Sequence, residues 1–112
     1  ISILSEISSK QRLTLTSGMS IATTSGTDPG SVTEPDYGMV FASTDILTHD
    51  LMASSWAEAN KPVINTGIDV YSLSAIDYYI GKKGSPSSIT WEQVNSNPNT
   101  SIVSQIKDYM KV

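Results

Sequence analysis

Cysteine is absent from this 112-residue chain. Disulfides, thiolate nucleophiles and cysteine-ligated zinc or iron–sulfur clusters are therefore outside what these residues can build alone. The same absence suits a cytosolic protein and an exported one equally; the cytoplasm is the expected location, with export as the alternative. Charge is sparse too, with seven Lys and Arg against eleven Asp and Glu and a net charge of -4. Phosphate neutralisation needs clustered basic side chains, and Lys82-Lys83 is the only basic pair, so nucleic acid is not an expected partner. No apolar run approaches the roughly 20 residues that a bilayer span requires, so no membrane role is expected. The sequence opens at Ile1 with no initiator Met and no basic stretch ahead of an apolar core, which reads as a mature product or a piece of a longer chain.

Periodicity supplies the elements. Ile3, Leu4 and Ile7 fit the tail of an amphipathic helix. Arg12-Leu13-Thr14-Leu15-Thr16 alternates strictly, the pattern of a half-buried strand. From Ser17 to Tyr37 the pattern is broken by Gly18, Gly26, Pro29, Gly30 and Pro35, and connections this long are usually functional or disordered. Gly38-Met39-Val40-Phe41-Ala42 is a short continuous apolar run, as in a strand covered on both faces. Ser43, Thr44 and Asp45 are good N-cap types for a helix over about Ile46 to Ala59 that ends before Pro62.

Apolar residues nearly encircle that helix, which predicts burial. Asp50 falls beside its Ile46, Ala53 and Ala57 face, where a carboxylate needs a hydrogen-bond partner or a ligand. Asp69 or Ser72 caps a further helix carrying Leu73, Ile76, Tyr79 and Ile80, with Gly81 as its stop. Thr90-Trp91-Glu92-Gln93 has capping-box spacing and predicts a short helical turn. Ile102, Val103, Ile106, Tyr109 and Met110 recur at three and four residues, giving a terminal amphipathic helix.

Two clear strands and about four helices do not close a sheet, because two strands alone are marginal. Either weaker strands such as Pro62-Val63-Ile64 contribute or other chain completes it. The expected fold is α/β, a small and mainly parallel sheet flanked by about four helices, forming the C-terminal portion of a larger protein.

Candidate chemistry concentrates between Arg12 and Asp50. His49, the only histidine, lies one turn beyond Asp45 on a helix face. With Asp50, these two could hold a divalent metal, or His49 could shuttle a proton while oriented by Asp45. The plainer alternative makes Asp45 the helix cap and His49 an exposed or core-edge residue. Thr27-Asp28-Pro29-Gly30 is a β-turn sequence, and Gly26 and Gly30 could also wrap a phosphate or carboxylate with backbone N–H groups. P-loop and GxGxxG spacings are absent, as is a Gly-x-Ser-x-Gly elbow. Trp56, Trp91 and the five tyrosines fit core and interface roles better than a stacking platform. Strand ends are where open α/β sheets bind ligands, so Gly26, Gly30, Ser43, Thr44, Asp45 and Asp50 form the expected ligand site, suited to a small anion.

The stretch Leu15-Thr16-Ser17-Gly18, Gly26-Thr27-Asp28-Pro29-Gly30 and Val40-Phe41-Ala42-Ser43-Thr44-Asp45, with Asp50 following, resembles domain-of-unknown-function family 362. That family consists of α/β proteins sometimes fused to ferredoxin-type iron–sulfur modules. Ser17 stands where the family usually has Asp, and Ile46 where it usually has Pro. The resemblance covers about a third of the chain and implies an α/β lobe of a redox-associated protein, with any iron–sulfur cluster outside this sequence. The leading expectation is thus a ligand- or metal-binding lobe of a redox-associated enzyme. The runner-up is a non-catalytic interaction module whose partner is the rest of a parent chain, another protein or a second copy.

Overall fold

The computed structural model describes residues 5–22, 32–36, 38–60 and 68–112. Helix α1 (Ser5–Ser8) is a single turn, followed by strands β1 (Thr14–Gly18), β2 (Ile21–Ala22), β3 (Val32–Thr33) and β4 (Met39–Ser43). After them come α2 (Ile46–Asn60), a 3-10 turn (Val70–Ser72), α3 (Ser74–Lys83) and α4 (Thr100–Met110). Pro62-Val63-Ile64 lies outside the described residues.

The expected parallel sheet is not what forms. β1 and β4 pair antiparallel, with Thr14 opposite Ser43 and Gly18 opposite Met39. β2 and β3 also pair antiparallel, Ile21 opposite Thr33. A parallel connection needs a crossover, usually a helix, and no helix lies among the described residues between β1 and β4. The chain instead goes out through β1 and β2 and returns through β3 and β4. Residues 19–20 separate the outgoing pair and residues 34–38 the returning pair, so the register changes between the two ladders. Pro35, which cannot donate to a ladder, sits in the longer arm.

Two strands suffice here because α2 covers one face. That face is not the one the leucines would select. Gly18 and Phe41 are buried and Thr14 and Thr16 half-buried, whereas Leu13, Leu15 and Val40 are 60%, 64% and 68% exposed. The reason is contact distance. A Cβ on Gly18 would fall 2.7 Å from the Trp56 ring, so the indole lies directly on the strand backbone. Only glycine allows that approach, and it turns the Thr14, Thr16 and Gly18 side inward.

α2 is the central element, in contact with β1, β4, the 3-10 turn, α3 and α4. The expectation that it is buried holds: Leu47, His49, Leu51, Ser55 and Trp56 are inside, and Asp50 is the only residue along it that is exposed. Its core partners include Val70, Ile76, Ile106 and Met110. Ser55 is fully buried and donates from Oγ to the Leu51 carbonyl at 2.7 Å, which satisfies its hydroxyl inside the helix.

Asp69 caps the 3-10 turn rather than α3, its carboxylate accepting from the Tyr71 N–H at 3.1 Å. α3 then runs through Gly81, whose expected stop role passes to Gly84 at φ 86°, where the left-handed region favours glycine. Tyr71 Oη donates to the Met110 carbonyl at 2.7 Å and Lys111 Nζ meets Asp69 Oδ2 at 3.1 Å, which ties the end of α4 to the 3-10 turn. The Lys111 ammonium, then the Tyr71 amide, holds the Asp69 carboxyl below its ordinary value. Burial, offset in part by Lys111, pushes the Tyr71 hydroxyl up and keeps it a donor.

Helix α4 is as its periodicity predicts, capped by Asn99, whose side chain accepts from the Ile102 N–H at 3.1 Å. The capping-box helix at Thr90 does not form. Ile89 and Trp91 are half-buried against the core while Thr90 and Glu92 face out, a period of two that belongs to extended chain. Tertiary burial of alternate residues overrides a local helix signal.

Two glycines test this packing. Gly18→Ala, which drives a methyl into the indole, should lower unfolding stability by about 1–3 kcal/mol. Gly81→Ala, in an exposed helix interior with nothing near its Cβ, should raise it by about 0.5–1 kcal/mol. Denaturant titration of both variants measures the contrast; equal effects would contradict the strand–indole contact.

Candidate functional site

Asp45 acts as the α2 cap. Its Oδ2 accepts from the Thr48 N–H at 2.8 Å and from Thr48 Oγ1 at 2.7 Å, and Ser43 Oγ accepts from the Asp45 N–H at 3.1 Å. Both side chains are thus occupied with starting the helix. Thr44 and Asp45 are exposed and Ser43 is half-buried. Asp50 is exposed as well, so the burial argument that singled it out does not hold. Its helix face with Ile46, Ala53 and Ala57 is only partly covered, which leaves the carboxylate in water.

His49 departs furthest from expectation. It is 5% exposed, its Nε2 is hydrogen-bonded to Thr16 Oγ1 at 2.9 Å, and its ring lies 5.4 Å from that of Phe41. Nδ1 lies 3.6 Å from Asp50 Oδ1, too long for a hydrogen bond, and has no partner. Asp45 does not orient this ring. No group of three His, Asp or Glu placed to hold a metal is found among the described residues. Asp45 and Thr48 instead border a small polar cleft with Tyr79 and Lys83. There burial, and after it the charges of Asp45 and Asp50, push the Tyr79 hydroxyl up.

The antiparallel register also changes what the strand ends share. Ser43 lies opposite Thr14 in the β1–β4 ladder, whereas Ala22 and Val32, which flank residues 23–31 in sequence, pair with each other in the separate β2–β3 ladder. Gly26 and Gly30 themselves lie outside the described residues.

A different site stands out, and sequence reasoning missed it. Among the described residues β4 has β1 on one side and no strand on the other. A groove of about 710 Å³ runs along that second edge. Every residue from Gly38 to Ser43 lines it, from both faces of the strand, which places the groove at the strand edge. Residues 89–98 form the opposite wall, and Met52, Val103 and Met110 contribute apolar surface from α2 and α4. The size is within the usual range for ligand sites.

Its exposed lining combines apolar Leu15, Val40 and the fully exposed Val94 with polar Glu92, Gln93 and Asn95. Two lining rings, His49 and Trp91, each carry a buried nitrogen without a hydrogen-bond partner, Nδ1 and Nε1. Buried polar atoms are almost always paired, so two orphans among the residues of one groove mark this region as unfinished. Lys107 Nζ stands 5.1 Å from the centre of the Trp91 ring, supporting it from α4. The signal available in the sequence was the alternation at Ile89 and Trp91, together with Val94 isolated among polar residues.

No family model, curated protein or solved structure matches the chain. The resemblance over Arg12 to Asp50 therefore rests on its own residues. Among the described residues, no helix is long and apolar enough to cross a membrane.

The Thr16–His49 bond predicts a specific cost. Thr16→Val leaves a buried ring nitrogen without its partner and should destabilise by about 1–3 kcal/mol, whereas Thr16→Ser, which keeps the hydroxyl, should cost less. Thermal and denaturant unfolding of both report on it; a valine variant as stable as the parent would remove the bond from the account.

Proposed function

We propose that this chain is a binding module, non-catalytic by itself, whose ligand lies in the groove between β4 and residues 89–98. The observation that carries the reading is a groove, nearly free of charge, where the exposed apolar side chains Leu15, Val40 and Val94 come together. Isolated exposed valines and leucines are ordinary, but a group of them around one concavity marks an interaction site. Charge is scarce there. Apart from His49, Glu92 is the only titratable side chain among the lining residues, so affinity comes from burying apolar surface.

A metal- or anion-binding role has less support from the geometry. Asp45 is used as a cap, Asp50 is solvated and His49 is turned toward Thr16 and Phe41. The redox association implied by the resemblance to family 362 concerns partners outside this sequence, and a binding module is compatible with it.

An uncharged solvatochromic dye such as Nile red tests the groove directly. It should bind saturably, and Val40→Lys and Val94→Lys should each weaken binding by about tenfold, since a charge would be placed in an apolar site. Both positions are exposed, so each variant should keep its stability to within about 0.5 kcal/mol. Absent dye binding, or binding in both variants unchanged from the parent chain, would overturn the reading.

A further inference from the structure

We propose that the occupant of this groove is an extended, uncharged segment of a partner protein, which adds to the open edge of β4 as a third strand. The inference rests on the binding-module reading above and specifies the chemistry of its ligand.

Three observations select that occupant. First, the groove follows a strand edge. Along β4 the backbone groups that do not face β1 point toward the groove, and no strand among the described residues takes them up. An unpaired edge is a template for another extended backbone, while a compact small molecule would leave most of those groups unmet. Second, the wall facing β4 holds a donor that is buried and unpaired. Indole Nε1 of Trp91 donates and never accepts, and it has no partner, so it calls for an acceptor such as a peptide carbonyl. Its atom is closed to water in the free chain, and the bond forms when the indole turns toward the incoming backbone.

Third, charge separates the sources of such a segment. The chain carries -4 overall and the groove holds Glu92, so an acidic peptide and a second copy of this chain are both disfavoured. A neutral segment with basic flanks is favoured. Side chains would alternate across the new strand. One set would pack inward toward Met52 and Val103, and the other would lie with Leu15 and Val40 on the bare face of the sheet.

The two-stranded sheet explains why such an addition would matter to the protein. A third strand would widen a sheet that now depends on α2 alone for cover. Binding would then stabilise the hairpin against the helix as well as hold the partner.

The test uses a short capped peptide that alternates valine and threonine between terminal lysines. Its control is the same peptide with alternate backbone amides N-methylated. Displacement of Nile red from the intact chain reads affinity, and amide hydrogen exchange reads the β4 backbone. The parent peptide should displace the dye, slow exchange at alternate residues of β4, and bind about tenfold more tightly than its N-methylated form, which loses backbone hydrogen bonds. Trp91→Phe should weaken the parent peptide by about two- to tenfold while dye binding is retained.

Equal displacement by both peptides would overturn strand addition. A dye that binds and is displaced by neither would overturn the peptide as ligand while the groove reading survives. Dye binding that tracks dimer formation in sedimentation would assign the groove to a second copy instead. A dye that does not bind at all removes the binding-module reading itself.

Discussion

The approach of Trp56 to Gly18 is the contact on which the rest of the arrangement depends. With a Cβ excluded at 2.7 Å from the indole, the strand backbone lies against α2. Once that side of β1 is inward, the pleat fixes every other residue. Thr16 reaches His49, Phe41 packs near both His49 and Trp56, and Leu13, Leu15 and Val40 are left outside. A one-residue slip would bury the leucines but put side chains where the indole now sits. The protein keeps an apolar face exposed as a consequence of how it docks its hairpin.

Among the described residues, the same docking leaves β4 as an edge strand beside a groove. Residues 89–98 approach from the other side, held by burial of Ile89 and Trp91 and by the Lys107 ammonium over the Trp91 ring. Tyr71, Lys111 and Asp69 tie the end of α4 to the 3-10 turn. Among the described residues, the two buried side-chain nitrogens left without a hydrogen-bond partner, His49 Nδ1 and Trp91 Nε1, both belong to residues that line the groove. That coincidence is what makes the groove the best candidate for function.

Local signals carried much of the element list. The cap at Asp45, the α2 and α4 periodicities and the strand at Met39–Ser43 are set by nearest neighbours and could be read directly. Strand direction could not. Residues 17–38 carry too little apolar pattern to distinguish a crossover from a returning arm, and the pairing is decided by contacts distant in sequence. Asp50 was misplaced because a helical wheel gives neighbours but not which face is covered. The helical turn expected from Thr90 does not form because a capping-box spacing is a local preference of roughly 1 kcal/mol, less than burying an indole contributes. The candidate site was half legible: β4 and His49 were singled out, while the facing wall at 89–98 was not, since only the fold brings it there.

Solution NMR of the free chain tests the central claim most directly, through cross-strand Hα–Hα contacts and amide exchange along β1 and β4. The account predicts contacts between alternate partners of the register running from Thr14–Ser43 to Gly18–Met39. It also predicts that β4 amides facing β1 are protected while the intervening amides, facing the groove, exchange rapidly. Uniform protection along β4 would mean that its second edge is already paired. A parallel contact pattern would mean that the hairpin, and the groove built on it, is wrong.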